Sequence, residues 1–355
     1  MGVISGQEMQ TLRIQVFHEQ LIAEVLEQRL FAQLTALSPN ISRLSPADAD
    51  VFRSAFQREE ICYANSWLYL LRSTRNDQGG LGYKFVGDET LMGIGYRNNT
   101  LYLVHPVGNG RFTATRDLIC ELHRRIQSPI VMKKVDQELY EYLISTNLIQ
   151  TYAEGLTLFE EEAFPEHILP LPHLYSPDGG QYRQSSPFIR KVRQFEKSSM
   201  KLLAKKDTSA IESHPGFLRL FGSNPDKYKS YLQIIREVSS QRPGDGTYKV
   251  CVYFDEDATI HGLYISELLE ERRMGLYCAI SSRSSRGITE WMDYDFFQQV
   301  FHDGIDYLYL GGSETHGVHA YVKKLFPIAP PYLMRPMAMH RHNMELPGLN
   351  GNIAD

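Results

Sequence analysis

The chain has 355 residues, 43% hydrophobic and 22% charged, with a net charge of -5 at pH 7. This excludes a disordered or fibrous chain and argues against a broadly nucleic-acid-binding surface, leaving open only a local basic groove. The four cysteines (Cys62, Cys120, Cys251 and Cys278) form no Cys-x-x-Cys pair, which speaks against a zinc knuckle or a disulfide framework and fits a reducing compartment.

Two compact domains of roughly 100–200 residues are expected at this length. No apolar run approaches the roughly 20 residues of a membrane span. The N-terminus has neither a signal peptide's basic start and apolar core nor a myristoylation pattern. A soluble cytoplasmic protein is the simplest expectation.

Apolar residues recur at helical spacing over residues 8–37 and stop at Ser38-Pro39-Asn40. Ser45 as N-cap and Pro46 in the first turn open a second helix running to about Arg58. The apolar run Ile61–Leu71 fits a helix or a strand, because its period cannot decide. Strands follow over 82–86, 90–95 and 100–104, separated by turns at Gly87-Asp88 and Arg97-Asn98-Asn99. A helix over 113–127, a strand over 129–134 and a helix over 136–145 complete the first half. Thr151–Gln184, with Glu160-Glu161-Glu162, Pro165, Pro170, Pro172, Pro177 and Gly179-Gly180, reads as a surface linker.

The second half repeats the order. Helices are expected over 188–197 and 226–239, then strands over 248–254, 259–266 and 274–280. The loop Ser281–Gly287 leads into a helix over 288–302 and a short strand, Tyr307–Leu310, that breaks at Gly311-Gly312. A short helix bearing Lys323 and Lys324 ends the pattern, and the repetition suggests a duplication. The expected divisions are a helical extension over 1–44, a first domain over 45–150, the linker over 151–184, a second domain over 185–335 and a flexible tail over 336–355. His340 and His342 could bind a metal or belong to a flexible exposed tail, and His261, His316 and His319 show only a lone His-x-x-His spacing, so no metal is assigned.

Leu310-Gly-Gly-Ser-Glu-Thr-His-Gly317, followed by Val322-Lys323 and Phe326, resembles the last motif of the Gcn5-related N-acetyltransferase (GNAT) fold. More narrowly, this stretch and Tyr63-Ala-Asn-Ser-Trp67 resemble Fem-type aminoacyl-tRNA-dependent transferases and the phosphatidylglycerol lysyltransferase C-terminal-like domain family. The resemblance covers about residues 45 to 330. It implies an α/β fold (α+β mixed sheet) of two tandem GNAT-like domains behind a helical N-terminal extension. It also implies an acyltransferase that moves an aminoacyl group from charged tRNA to an amine or hydroxyl of a small molecule or peptide. The alternatives are an acyl-CoA-dependent N-acyltransferase and, in a different class, a non-catalytic GNAT-fold binding module. No tightly bound cofactor is implied; aminoacyl-tRNA or acyl-CoA would be the co-substrate.

The same resemblance suggests roles. Lys323 would stabilise charge on the leaving nucleotide oxygen or contact a phosphate, unless it is a solvated helix lysine. Tyr309 would donate a proton to the leaving group or be a core tyrosine. Glu267 would be a base for the amine or a surface carboxylate. Ser281, Ser282, Arg283, Arg286 and Gly287, with Gly311 and Gly312, would hold the donor's phosphates. The basic helix carrying Arg190, Lys191, Arg193 and Lys197 would guide an RNA stem or acidic substrate, or be a charged surface face. A backbone amide at a split between two central strands would hold the acyl oxygen, with candidates at the ends of 259–266 and 274–280. At the pyrophosphate loop, Ser284 leads and Thr289 closes a motif that keeps only Gly287 in register, and Val322 stands where the family places Phe.

Overall fold

The computed structural model describes residues 28–59, 61–76, 79–87, 89–126, 130–135, 137–146, 166–175, 186–205, 211, 214, 216–221, 225–240, 246–282, 284–312, 334–335 and 342–346. Residues 28–37 form helix α1, the described part of the first expected helix. Strand β1 (Ile41–Arg43) precedes a 3-10 turn at Pro46–Asp48, α2 (Ala49–Phe56) and α3 (Trp67–Thr74). The meander β2 (Tyr83–Gly87), β3 (Thr90–Arg97) and β4 (Thr100–Val107) is followed by α4 (Arg111–Arg125), β5 (Ile130–Val135) and α5 (Gln137–Ser145). The β3–β4 turn is tight because Asn98 and Asn99 adopt left-handed φ values of 49° and 57°.

Strand β6 (Glu166–Pro170) and α6 (Pro172–Tyr175) lie within the stretch read as linker. The second half comprises α7 (Pro187–Glu196), β7 (Leu203–Lys205), a 3-10 turn at Phe217–Phe221 and α8 (Pro225–Ser240). The strands β8 (Tyr248–Phe254), β9 (Ile260–Glu270) and β10 (Arg273–Ser281) come next. Helix α9 (Ile288–His302), β11 (Tyr307–Gly312), β12 (Met334–Arg335) and β13 (His342–Leu346) complete the described chain.

The two sheets have matching topology. In the first, β1-β2-β3-β4 is antiparallel, β4 runs parallel to β5, and β13 closes the edge antiparallel to β5. In the second, β7-β8-β9-β10 is antiparallel, β10 runs parallel to β11, and β6 lies antiparallel beside β11 with β12 outside it. The expected tandem of GNAT-like units is therefore present as a repeated strand order. The closing strands are exchanged: β6 follows the first unit in sequence but completes the second sheet, while β13 follows the second unit and completes the first. The stretches read as a linker and a tail thus each supply a strand to the other unit. Backbone groups on a buried sheet edge need partners, and a strand from either source satisfies them equally.

Alternating side chains divide the interior into three cores. Leu101, Leu103, Ile130 and Met132 face α4 and α5 on the outside of the first sheet. Tyr253, Tyr264, Leu276 and Leu308 face α7 and α9 on the outside of the second. The third core is shared: Val104 and Val107 of the first sheet, Leu263, Ile265 and Ile280 of the second, and α2, α3 and α8 all contribute. Residues from both units therefore pack in one continuous apolar interior.

Candidate active site

The second sheet has a split between its central parallel strands, as the first has beyond Val104 and Lys133. Pairing of β10 with β11 runs only from Arg273↔Tyr307 to Gly275↔Tyr309, although β10 continues to Ser281 and β11 to Gly312. A bulge in the β9–β10 ladder between Leu276 and Cys278 lies at the mouth of the split. Bulges bend a strand and increase its local twist, which drives such strands apart. Of the two strand ends that sequence offered for the split, only 274–280 borders it, since β9 lies on the far side of β10.

Tyr63, from the first unit, sits at this mouth. Its ring stacks on Tyr277 with centroids 4.5 Å apart, and Tyr277 donates its hydroxyl to the Tyr63 carbonyl at 2.8 Å. The Tyr277 hydroxyl crosses above Gly275, where a Cβ would lie only 2.3 Å from it. On the other side, Gly311 adopts φ +74° and a Cβ there would meet the Tyr63 ring at 3.0–3.1 Å. Gly311 is thus glycine for two reasons: a left-handed backbone and a close aromatic neighbour. Gly311→Ala should cost about 1–3 kcal/mol in urea unfolding. In a double-mutant cycle with Tyr63→Ala, the steric part should disappear and the backbone part should remain.

The segment that carries Tyr63 is held by the second unit. Ser66 caps α3 by accepting from the Tyr69 amide at 3.0 Å. Glu267 of β9 accepts from the Leu68 amide at 2.8 Å and the Trp67 amide at 3.3 Å, satisfying two more of the N–H groups a helix start leaves open. Arg53 of α2 donates from Nε to the same carboxylate at 3.3 Å and also hydrogen-bonds the Tyr248 hydroxyl. Glu237 of α8 lies 3.8 Å from the Arg53 guanidinium. Glu267 is 1% exposed, and burial pushes its carboxyl up to about 7 despite these donors. It is not a surface carboxylate; it anchors the two units where they meet.

Tyr309 is 3% exposed at the last paired position before the split, and Gly275 separates it from Glu267 in one row across the sheet. Gly311 and Gly312 line the β11 side. The loop residues lie at the far end of β10. Ser281 hydrogen-bonds Thr289 at 2.9 Å, and Ser282 hydrogen-bonds His261 at 2.9 Å. Gly287 is the N-cap of α9 with φ +80°, and a Cβ there would lie 2.3 Å from the Lys191 carbonyl oxygen of α7. Its missing side chain admits helix α7.

That packing brings the predicted basic helix to the loop between β10 and α9. Lys191 pairs with Glu290 in the first turn of α9, while Arg190, Arg193 and Arg286 are exposed. Lys323 and Arg283 lie outside the described residues. Sequence reasoning gave no role to Arg53, Tyr63 or Tyr277. Tyr63 was legible only as part of a motif, and an arginine on an amphipathic helix gives no signal at all.

A cavity of about 310 Å³ lies between the end of α2, the 61–65 segment and the β9–β10 hairpin. Phe56, Ile61 and Leu269 form apolar walls, Asn65 contributes an amide, and Glu270 and Glu271 add carboxylates. Among the described residues no cluster of His, Cys, Asp and Glu could hold a metal ion, and no helix is long and apolar enough to cross a membrane.

No protein-family model and no curated protein matches the sequence significantly. Solved structures do match. A conserved protein of unknown function from Bacteroides thetaiotaomicron VPI-5482 has a TM-score of 0.58 at 13% identity, over 86% of this chain and 99% of that one. FemX matches with a TM-score of 0.49 at 11% identity, over 86% of this chain and 96% of that one. The C-terminal domain of a putative lysylphosphatidylglycerol synthetase from Agrobacterium fabrum has a TM-score of 0.47 at 11% identity, over 85% of this chain and 93% of that one. At these identities the likeness is one of fold.

Proposed function

We propose that the protein is an acyltransferase that moves an aminoacyl group from a charged tRNA onto an amine or hydroxyl of a small molecule or peptide. The observation that carries this reading is the split between β10 and β11, bordered by Tyr277, Tyr309 and Gly311 and covered by Tyr63 of the first unit. Acyl transfer needs an acceptor free to attack, a donor of hydrogen bonds to the oxyanion and a proton for the leaving oxygen. In this reading the β10 edge beyond Leu276 presents backbone N–H groups to the acyl oxygen. Burial raises the Tyr277 phenol well above its usual range, so it stays a hydrogen-bond donor at neutral pH.

The exposed cations Arg190, Arg193 and Arg286 would track the donor's phosphates, with Lys323 near the leaving oxygen as the resemblance implies. The alternative is an acyl-CoA donor at the same loop, where only Gly287 keeps the register of the pyrophosphate motif. The non-catalytic reading has one observation in its favour: the Tyr63 ring packs tightly against both sides of the split.

The test is release of label from tRNA charged with labelled amino acids, in the presence of pooled small amines and peptides. Transfer should require the protein and fall at least about tenfold in Tyr277→Phe and Lys323→Ala. No transfer from any charged tRNA would overturn the donor assignment. Transfer unchanged by both substitutions would overturn the residue roles. Thermal stabilisation by acetyl-CoA would favour the CoA donor.

A further inference from the structure

The loop between β10 and α9 meets His261 of β9 and Asp255 of the β8–β9 turn in a serine–histidine–carboxylate relay. His261, 5% exposed, places Nδ1 at 2.9 Å from Ser282 Oγ and 3.1 Å from Ser284 Oγ, and Nε2 at 2.9 Å from Asp255 Oδ2. Ser282 and Ser284 are themselves 3.0 Å apart. Asp255 is fixed in turn by the Asp257 and Thr259 amides at 3.0 and 2.8 Å. Its hydrogen bond to His261 holds the carboxyl below the usual carboxylate range.

The tautomer follows from these partners. A carboxylate only accepts, so Nε2 carries the proton and Nδ1 turns its lone pair to the serines. The order is that of a nucleophile, a base and an orienting acid, with the two imidazole nitrogens in exchanged places. A histidine that merely tied the loop down would need one hydrogen bond. Here both nitrogens are committed, and the basic one meets a half-buried hydroxyl beside an exposed one.

We propose that Ser282 is an activated nucleophile towards carboxylic esters, with His261 as its general base and Asp255 as the positioning residue. In the first step Ser282 Oγ bonds to the ester carbonyl carbon, its proton passes to His261 Nδ1, and the ester C–O bond breaks. The departing alkoxide takes that proton and leaves as an alcohol. Water then attacks the seryl ester with His261 again as base, releasing the carboxylic acid and restoring the serine. No oxidant or metal is needed.

The probe is a fluorophosphonate, which phosphonylates activated serines with loss of fluoride, read by intact mass and peptide mapping on the full chain. One equivalent of label is expected on Ser282, and none in Ser282→Ala. His261→Gln should slow labelling at least about 100-fold, the usual scale of a general base. Asp255→Asn should also slow labelling at a temperature where circular dichroism shows the variant fully folded, which a merely structural role would not predict. If the buried His261 variant fails to fold, Ser282→Ala and Asp255→Asn carry the test. No label, label confined to Ser284, or Asp255→Asn labelling at the wild-type rate would overturn the proposal.

Discussion

Replacing Glu267 with alanine should destabilise the protein by about 3–5 kcal/mol, because several buried donors lose their acceptor at once. The carboxylate serves three donors that belong to the other unit: the Arg53 guanidinium and the Trp67 and Leu68 amides. Its loss leaves two helix N–H groups without their acceptor and Arg53 with Tyr248, Glu237 and the exposed Asp50. The effect should reach Tyr63, because α3 begins four residues after it. Urea unfolding of Glu267→Ala checks the magnitude. A cost below about 1 kcal/mol would mean that the carboxylate does not anchor the two units.

The same group makes stability depend on pH. Burial raises Glu267 from 4.5 to about 7, so the folded protein keeps a proton that the unfolded chain releases between those values. Stability from this group is complete below about 4.5 and is lost as pH rises to about 7. The total is on the order of 3 kcal/mol. Glu267→Gln, which carries no such proton, should lack this slope. The stability of wild type relative to Glu267→Gln should therefore fall steadily from pH 4.5 to 7. A constant difference would show that the carboxyl titrates normally.

Gly287→Ala should cost about 2–4 kcal/mol, combining a left-handed backbone with a clash that no rotamer relieves. A Cβ would stand 2.3 Å from the Lys191 carbonyl oxygen, which is main chain and held within α7. The alanine would push α7 from α9 and loosen the Phe195–Trp291 contact, where ring centroids are 5.5 Å apart. Urea unfolding followed by tryptophan emission, with transfer assayed in parallel, checks this. If the variant is as stable as wild type but binds its donor more weakly, Gly287 serves ligand approach after all.

Much of this fold is legible in the sequence. Periodicity and turn chemistry placed the β2–β4 meander and the β8–β10 strands within a few residues, and placed α9 at 288–302 as found. These elements carry their own signals: alternating apolar residues, Asn-Asn turns and a glycine before a helix. The run Ile61–Leu71 was undecidable. It resolves as a turn followed by α3, an eight-residue helix. Helices this short are marginal alone, and this one starts where a carboxylate 199 residues away accepts its amides. Nothing local encodes that.

The site divides in the same way. Gly311-Gly312 at the end of a strand and the loop Ser281–Gly287 could be picked out because glycine and serine punctuate a chain visibly. Which glycine faces a ring and which faces a helix could not, since both contacts come from distant residues, Tyr63 and Lys191. The sequence by itself determined the order of strands and helices in two similar halves, because hydrophobic period and turn residues act over a few positions. Only the tertiary structure decided that the halves exchange their closing strands, share one core and join at Glu267. Those outcomes depend on burial and hydrogen-bond satisfaction between segments far apart in the chain.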